Sequence, residues 1–198
     1  MYSIITIARE YGSGGGSIAK ALANRLGWDL LDRALITGIA QNAKVDPALA
    51  ARYDERVDTW LDRLRKGTWY GFASMAEIDC FDAEKMARLA HHVIEEAASV
   101  GHCVIVGRGG QCVLQRRPDT FHVFIHAPWN ERVRRVETRI SPGENVEARI
   151  RAMDRERAEF IRTYYDQDWR DPHLYHLMIS SMLGEETVVS AILRSIGK

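Results

Sequence analysis

Ser3-Ile4-Ile5-Thr6-Ile7-Ala8-Arg9-Glu10-Tyr11-Gly12-Ser13-Gly14-Gly15-Gly16-Ser17 is a strand-forming run that ends in a chain of small residues. The run Ser3 to Ala8 is rich in β-branched residues and lacks a solvent-facing alternation, the pattern of a strand buried on both faces of a parallel sheet. A helical pattern follows at once, with Ile18, Ala21, Leu22, Arg25 and Leu26 spaced at three and four, and Gly27 closes it. The unit is strand, glycine turn, helix. Glycine in such number costs backbone entropy, and its usual reasons are positive φ angles or close approach by a ligand. Backbone N–H groups near Gly16 and Ser17 would point at an anion, aided by the helix dipole. Gly12, Ser13, Gly14, Gly15, Gly16 and Ser17 are therefore read as a phosphate-binding turn.

From this unit the rest of the chain reads as alternating strands and helices. Trp28 to Leu31 is a brief second strand ending at Asp32, and about seventy mostly helical residues follow, including the loop-like Lys66 to Gly71. Met86, Leu89, Ala90, Val93, Ile94, Ala97 and Val100 make one helix face, stopped by Gly101 before the strand Cys103 to Val106. Phe121 to His126 is a fourth strand and His176 to Ser180 a fifth. Between those two, Val133, Val136 and Ile140 mark one helix, and Val146, Ile150, Met153, Phe160 and Ile161 a longer one rich in arginine. Ser141-Pro142-Gly143 separates them, and Glu185 to Ile196 forms the closing helix. The expected fold is three-layer α/β/α around a five-stranded parallel sheet, with the ligand site at the carboxyl ends of the strands.

Composition narrows the partner. The 198 residues suffice for a single domain, and 27 basic against 27 acidic residues give no net charge. That balance argues against a nucleic-acid polymer or a membrane surface, so a small molecule is expected. Cys80, Cys103 and Cys112 follow no metal or redox spacing and are read as reduced thiols of a cytoplasmic protein. Neither a signal peptide nor an apolar run of membrane-spanning length is recognisable. Oligomeric state is not legible.

Two ligand classes fit the turn. Gly12, Gly14 and Ser17 approximate the G-x-G-x-x-G/A pattern of dinucleotide binders, with Asp32 where a ribose-binding acid belongs. Against this, too few strands remain for a second mononucleotide half, and the chain diverts into a long helical insertion. A P-loop layout accounts for that better.

The stretch Ile5 to Ser17, then Ala19 to Ala23, then Trp28 to Asp32, resembles the opening of a cytidylate kinase. The likeness continues at Val104-Ile105-Val106-Gly107-Arg108, at Val123 to His126 with Glu131-Arg132, and at Asp154-Arg155-Glu156-Arg157. It is closest to a divergent cytidylate-kinase-like group with a Tyr-Gly-Ser-Gly-Gly turn. The resemblance implies ATP-dependent, magnesium-assisted phosphoryl transfer to a nucleoside monophosphate, within one domain spanning residues 1–198. It implies that residues 12–17 wrap the ATP phosphates and that Ser17 supplies a magnesium-linked hydroxyl. The insertion at 33–100 would help hold the acceptor, and Arg108 would lie by the acceptor phosphate. The region 141–172 would be a lid whose Arg151, Arg155 and Arg157 close over the transferring group. Planar guanidinium groups suit that task, because each can hold two phosphate oxygens.

Two departures stand out. A Walker A loop reads G-x-x-x-x-G-K-[ST], and its lysine position here is Gly15. Arg9 is the candidate replacement, or else a strand-end partner of Glu10; Lys20 is second choice. Gly107 stands where the related enzymes carry an acid, which leaves magnesium to Ser17, phosphate oxygens, water and Asp32. Asp32 reads equally as a helix cap. Tyr164 to Pro172 would embrace a base, pack as a loop or contact another subunit. The same departures motivate the alternative of a nucleotide-binding module without catalysis.

Overall fold

The computed structural model describes residues 1–32 and 83–198. Five strands form one sheet: β1 (Ile4–Arg9), β2 (Asp29–Leu31), β3 (Cys103–Val106), β4 (Thr120–His126) and β5 (Leu177–Ser180). Their order is β2-β3-β1-β4-β5, and every pairing is parallel. The expected five-stranded α/β fold is borne out, strand for strand. The helices are α1 (Gly15–Leu26), α2 (Ala83–Val100), α3 (Gly110–Val113), α4 (Trp129–Glu137), α5 (Val146–Tyr165) and α6 (Glu185–Ser195). The short α3 lies in the connection from β3 to β4. Of the expected insertion at 33–100, only α2 lies within the described residues; Lys66 to Gly71 and Cys80 lie outside them.

The absence of alternation in β1 has its cause in packing on both faces. Ile5 and Ile7 point, with Val104, Val106, Val123 and Ile125, into a cluster closed by α1 and α6 through Ile18, Leu22, Val188 and Ile192. Ile4 joins Cys103, Ile105 and Leu31 on the other face beneath Val93, Ile94 and Ala97 of α2. Further along that face, Ala8 and Phe124 meet Ile161 of α5 and Trp169. Removing a fully buried side chain such as Leu22, by substitution to alanine, costs about 2–5 kcal/mol. Gly27 ends α1 in the left-handed conformation, φ 64°, and Gly101 does so after α2 at φ 75°. Among the described residues no helix is long and apolar enough to cross a membrane.

One polar group is built into this core. Thr6 of β1 and His122 of β4 are register partners, and their Oγ1 and Nδ1 share a hydrogen bond of 2.7 Å. The His122 ring stacks on His176 at 5.1 Å, and the His122 backbone N–H donates to His176 Nδ1. Burial first, and then the neighbouring His176, push the His122 imidazole down to about 4. Its Nε2 is buried with no partner among the described residues.

A neutral buried histidine makes folding sensitive to acid. In the unfolded chain His122 takes up its proton near pH 6.5, but the folded protein resists until about pH 4. Stability is then full above pH 6.5 and falls through the window from 6.5 to 4, by roughly 3 kcal/mol in all. Urea unfolding across this window is expected to show that slope, and His122→Gln to flatten it.

Candidate active site

With β3 inserted between β1 and β2, the chain leaves β1 in one direction and later returns to β1's other side as β4. The crevice opened at such a reversal lies beyond the carboxyl ends of the strands. β1 ends there at Arg9, the glycine turn follows, and α1 begins at Gly15. Gly14 caps the helix with φ 82° and ψ 3°, a left-handed conformation that glycine adopts without steric cost. The carbonyl of Gly14 accepts from the N–H of Ser17 and of Ile18. The N–H groups of Gly14, Gly15 and Gly16 donate to no backbone carbonyl among the described residues. They are the orphan donors of a helix start, with the positive end of the helix dipole behind them. Ser13 adds a buried hydroxyl with no partner among the described residues.

The turn is held from behind by charged groups. Tyr11 N–H donates to Asp154 Oδ1 at 2.8 Å, and Arg132 Nε donates to the Tyr11 carbonyl at 2.7 Å. Arg132 and Asp154, both nearly inaccessible, pair directly through Nη2 and Oδ2. Glu10 pairs with Arg132 at 3.4 Å and with Arg170 at 3.8 Å, and accepts from the Ala127 N–H. Arg135 Nη1 donates to the Ser13 carbonyl at 2.9 Å and to Ser181 Oγ at 2.8 Å, tying the turn to the loop after β5. Gly12 allows α4 to approach, since a Cβ there would lie 2.8 Å from Val136 Cγ2.

Beside the turn lies a cleft of about 230 Å³ at the ends of β1 and β3. Arg9, Arg108 and Arg157 line it together with Gln111, Glu156 and Trp169. Arg157 also donates to the Arg9 carbonyl at 3.0 Å and lies 3.4 Å from Asp154 Oδ1. Gly107, Arg108 and Gly109 all have positive φ, at 75°, 56° and 76°. For Arg108 this left-handed backbone costs on the order of 1–2 kcal/mol and aims the chain back over the crevice.

Three of the expected arginines are thus gathered and two are not. Arg151 is exposed, pairs with Glu147 at 3.3 Å and lies 4.6 Å over the Trp129 ring. Arg155 is exposed, with no ion-pair partner among the described residues. The cleft-facing side of α5 is Met153, Glu156, Arg157, Phe160 and Ile161 instead. Asp154, within the same arginine-rich stretch, is buried and paired with Arg132. A signal was present: Asp154 follows Ile150 by four and precedes Ile161 by seven, which is the helix's buried face. Asp32 directly follows β2, which lies two strands from β1, on the order of 10 Å away at ordinary strand spacing. Of the Tyr164 to Pro172 segment, Trp169 packs on Phe124 and also borders the cleft. Among the described residues no group of three carboxylate, histidine or cysteine side chains could hold a metal. Cys103 and Cys112 are free, and burial pushes their thiols up to about 12 and about 11.

The dinucleotide alternative fails on topology, because that fold places β2 directly beside β1. Here β3 takes the place. A family model described as the cytidylate kinase-like family matches residues 4–182. No curated protein matches the chain. Among solved structures, an uncharacterized protein from Eubacterium ventriosum is 21% identical with a TM-score of 0.69, and 98% of each chain is covered. Shikimate kinase from Bacteroides thetaiotaomicron is 15% identical at TM-score 0.54, again with 98% of each chain covered. A gluconokinase from Sinorhizobium meliloti is 14% identical at TM-score 0.54, covering 98% of this chain and 91% of its own. At these identities the likeness shows the fold alone, a five-stranded parallel α/β arrangement shared with these proteins.

The Asp154 knot generates a test. Asp154→Ala leaves buried Arg132 with only its longer pairing to Glu10 and takes the acceptor from the Tyr11 N–H, which costs about 3–5 kcal/mol. The midpoint of thermal unfolding is expected to fall by roughly 10 °C, and by less in Asp154→Asn, which keeps an acceptor for the Tyr11 N–H.

Proposed function

The chain belongs to the cytidylate kinase-like family, and on that premise we propose that it transfers the terminal phosphoryl group of ATP to a small phosphorylated acceptor, foremost a nucleoside monophosphate of the cytidylate type. The observation that carries this reading is one juxtaposition. A cleft lined by Arg9, Arg108 and Arg157 opens beside a helix start whose Gly14, Gly15 and Gly16 N–H groups are unspent. Polyphosphate on the N–H groups and an acceptor phosphate among the arginines would stand next to each other.

In this reading an acceptor phosphate oxygen, already deprotonated at neutral pH, attacks the γ phosphorus. The bond to the β–γ bridging oxygen breaks and leaves its electron pair on ADP. No covalent bond to the protein forms, so the protein's part is positioning and neutralising the charge spread over the γ oxygens. Arg108 and Arg157 hold the acceptor and the transferring group, and the glycine-turn N–H groups hold the β and γ phosphates. Trp169 and Phe160 supply an apolar wall that keeps water from competing. Magnesium would supply further neutralisation of the phosphate charge. Ser17, at the start of α1, is the hydroxyl that would hold it, with water completing the shell. Asp32 would act through such a water. Free Cys103 and Cys112 suit a cytoplasmic site for this chemistry.

ADP release, coupled to a spectroscopic readout and measured with ATP and magnesium across a panel of nucleoside monophosphates, tests the reading. Acceptor-dependent turnover that is abolished by chelating magnesium is expected. Nucleotide binding without turnover on any acceptor would instead identify a sensing module. Within the active protein, Arg157→Ala is expected to lower kcat/KM by about 100-fold, as loss of a charged transition-state donor does. Arg155→Ala, outside the cleft, should change it by less than about fivefold.

A further inference from the structure

Arg9, Gly15 and Gly107 are one feature. Arg9 leaves the carboxyl end of β1 with its backbone fixed, its carbonyl accepting from Arg157. Its side chain then runs across the start of α1. A Cβ at position 15 would lie 2.7 Å from Arg9 Cβ and 3.0 Å from Arg9 Cγ, closer than packed carbons come. At its far end the guanidinium rests on Gly107, where a Cβ would fall on Arg9 Nη1. The two positions at which this chain departs from its relatives' pattern are therefore the two that the Arg9 side chain covers. A lysine at 15 would press on the Arg9 stem close to its backbone, and any side chain at 107 would displace the Arg9 head and be strained at a φ of 75°.

We propose that Arg9 carries the phosphate-neutralising charge of this site in place of the loop lysine, and that Gly15 and Gly107 are glycine because the arginine side chain lies across both. The inference rests on the kinase reading above. The charge is relocated: it arrives from the strand before the turn, and its planar head comes to the cleft shared with Arg108 and Arg157. A guanidinium delivered this way can hold two phosphate oxygens in a fixed planar fork, where an ammonium acts as a compact point charge.

Binding of inorganic tripolyphosphate and of a non-hydrolysable ATP analogue, by calorimetry on the full chain, separates the possibilities without requiring an acceptor. Wild type is expected to bind both. Arg9→Met keeps the stem on Gly15 and removes the charge. It should weaken both probes by roughly 10- to 100-fold, the worth of one charged hydrogen-bonding group, with unchanged affinity for adenosine. Arg9→Lys should recover part of the loss. Gly15→Lys should weaken binding while Arg9 is present, and the double variant Arg9→Gly with Gly15→Lys should bind more tightly than either single variant, a non-additive rescue. Thermal unfolding of each variant identifies any that lose binding by not folding. Wild-type affinity in a folded Arg9→Met overturns the inference and leaves the kinase reading intact, as does simple additivity in the double variant. Failure of wild type to bind either polyphosphate overturns both.

Discussion

The carboxylate of Asp154 is the point on which the site depends. A glycine turn has little to hold its own shape, since each glycine is the residue with most conformational freedom to lose. Here the backbone just before it is clamped from both directions: Asp154 takes the N–H of Tyr11, while Arg132, paired to Asp154, takes the Tyr11 carbonyl. Two helices distant in sequence thus converge on the backbone of one residue, Tyr11. A buried ion pair of this kind contributes little net stability, because desolvation offsets most of the attraction. Its value is geometric: only one placement of α4, α5 and the turn satisfies every partner at once.

That clamp also sets where positive charge can go. Arg132 faces inward and is consumed by structure, as its near-complete burial shows. Arg157 divides its donors between the Arg9 carbonyl and Asp154 and still borders the cleft. Arg135 reaches the back of the turn through the Ser13 carbonyl and links it to the Ser181 loop. A region that reads as uniformly arginine-rich is therefore sorted by burial into groups that build the site and groups that face it. The outer arginines of α5 do neither: Arg151 is spent on Glu147 and Trp129, and Arg155 on solvent.

The proposed phosphoryl transfer is compatible with this distribution of charge. The transition state needs neutralisation over several oxygens more than it needs any particular side chain, so a cation can approach from the strand or from the loop. What the fold must supply is a rigid floor, and β1 supplies it from the centre of the sheet, hydrogen-bonded on both sides by β3 and β4. Acceptor choice is a separate matter, resting on a few contacts in parts of the chain that vary within a shared fold.

Local pattern carried the architecture. The unalternating Ile4 to Ala8, the glycines that end α1 and α2, and the helical spacing in α5 are each legible within a dozen residues, because burial on two faces, positive φ and helix periodicity are short-range properties. The glycine turn was legible for the same reason. The sheet order that excludes a dinucleotide fold was not, since it depends on which side of β1 a distant strand settles. Nor were the partners of Asp154, which lie 22 and 143 residues away, nor which of five arginines reach the cleft. Gly15 and Gly107 look like two separate losses along the chain, and only the path of Arg9 through space joins them. Sequence periodicity says which face a residue occupies; contacts between remote segments say what that face meets, and the chemistry of the site is made of those meetings.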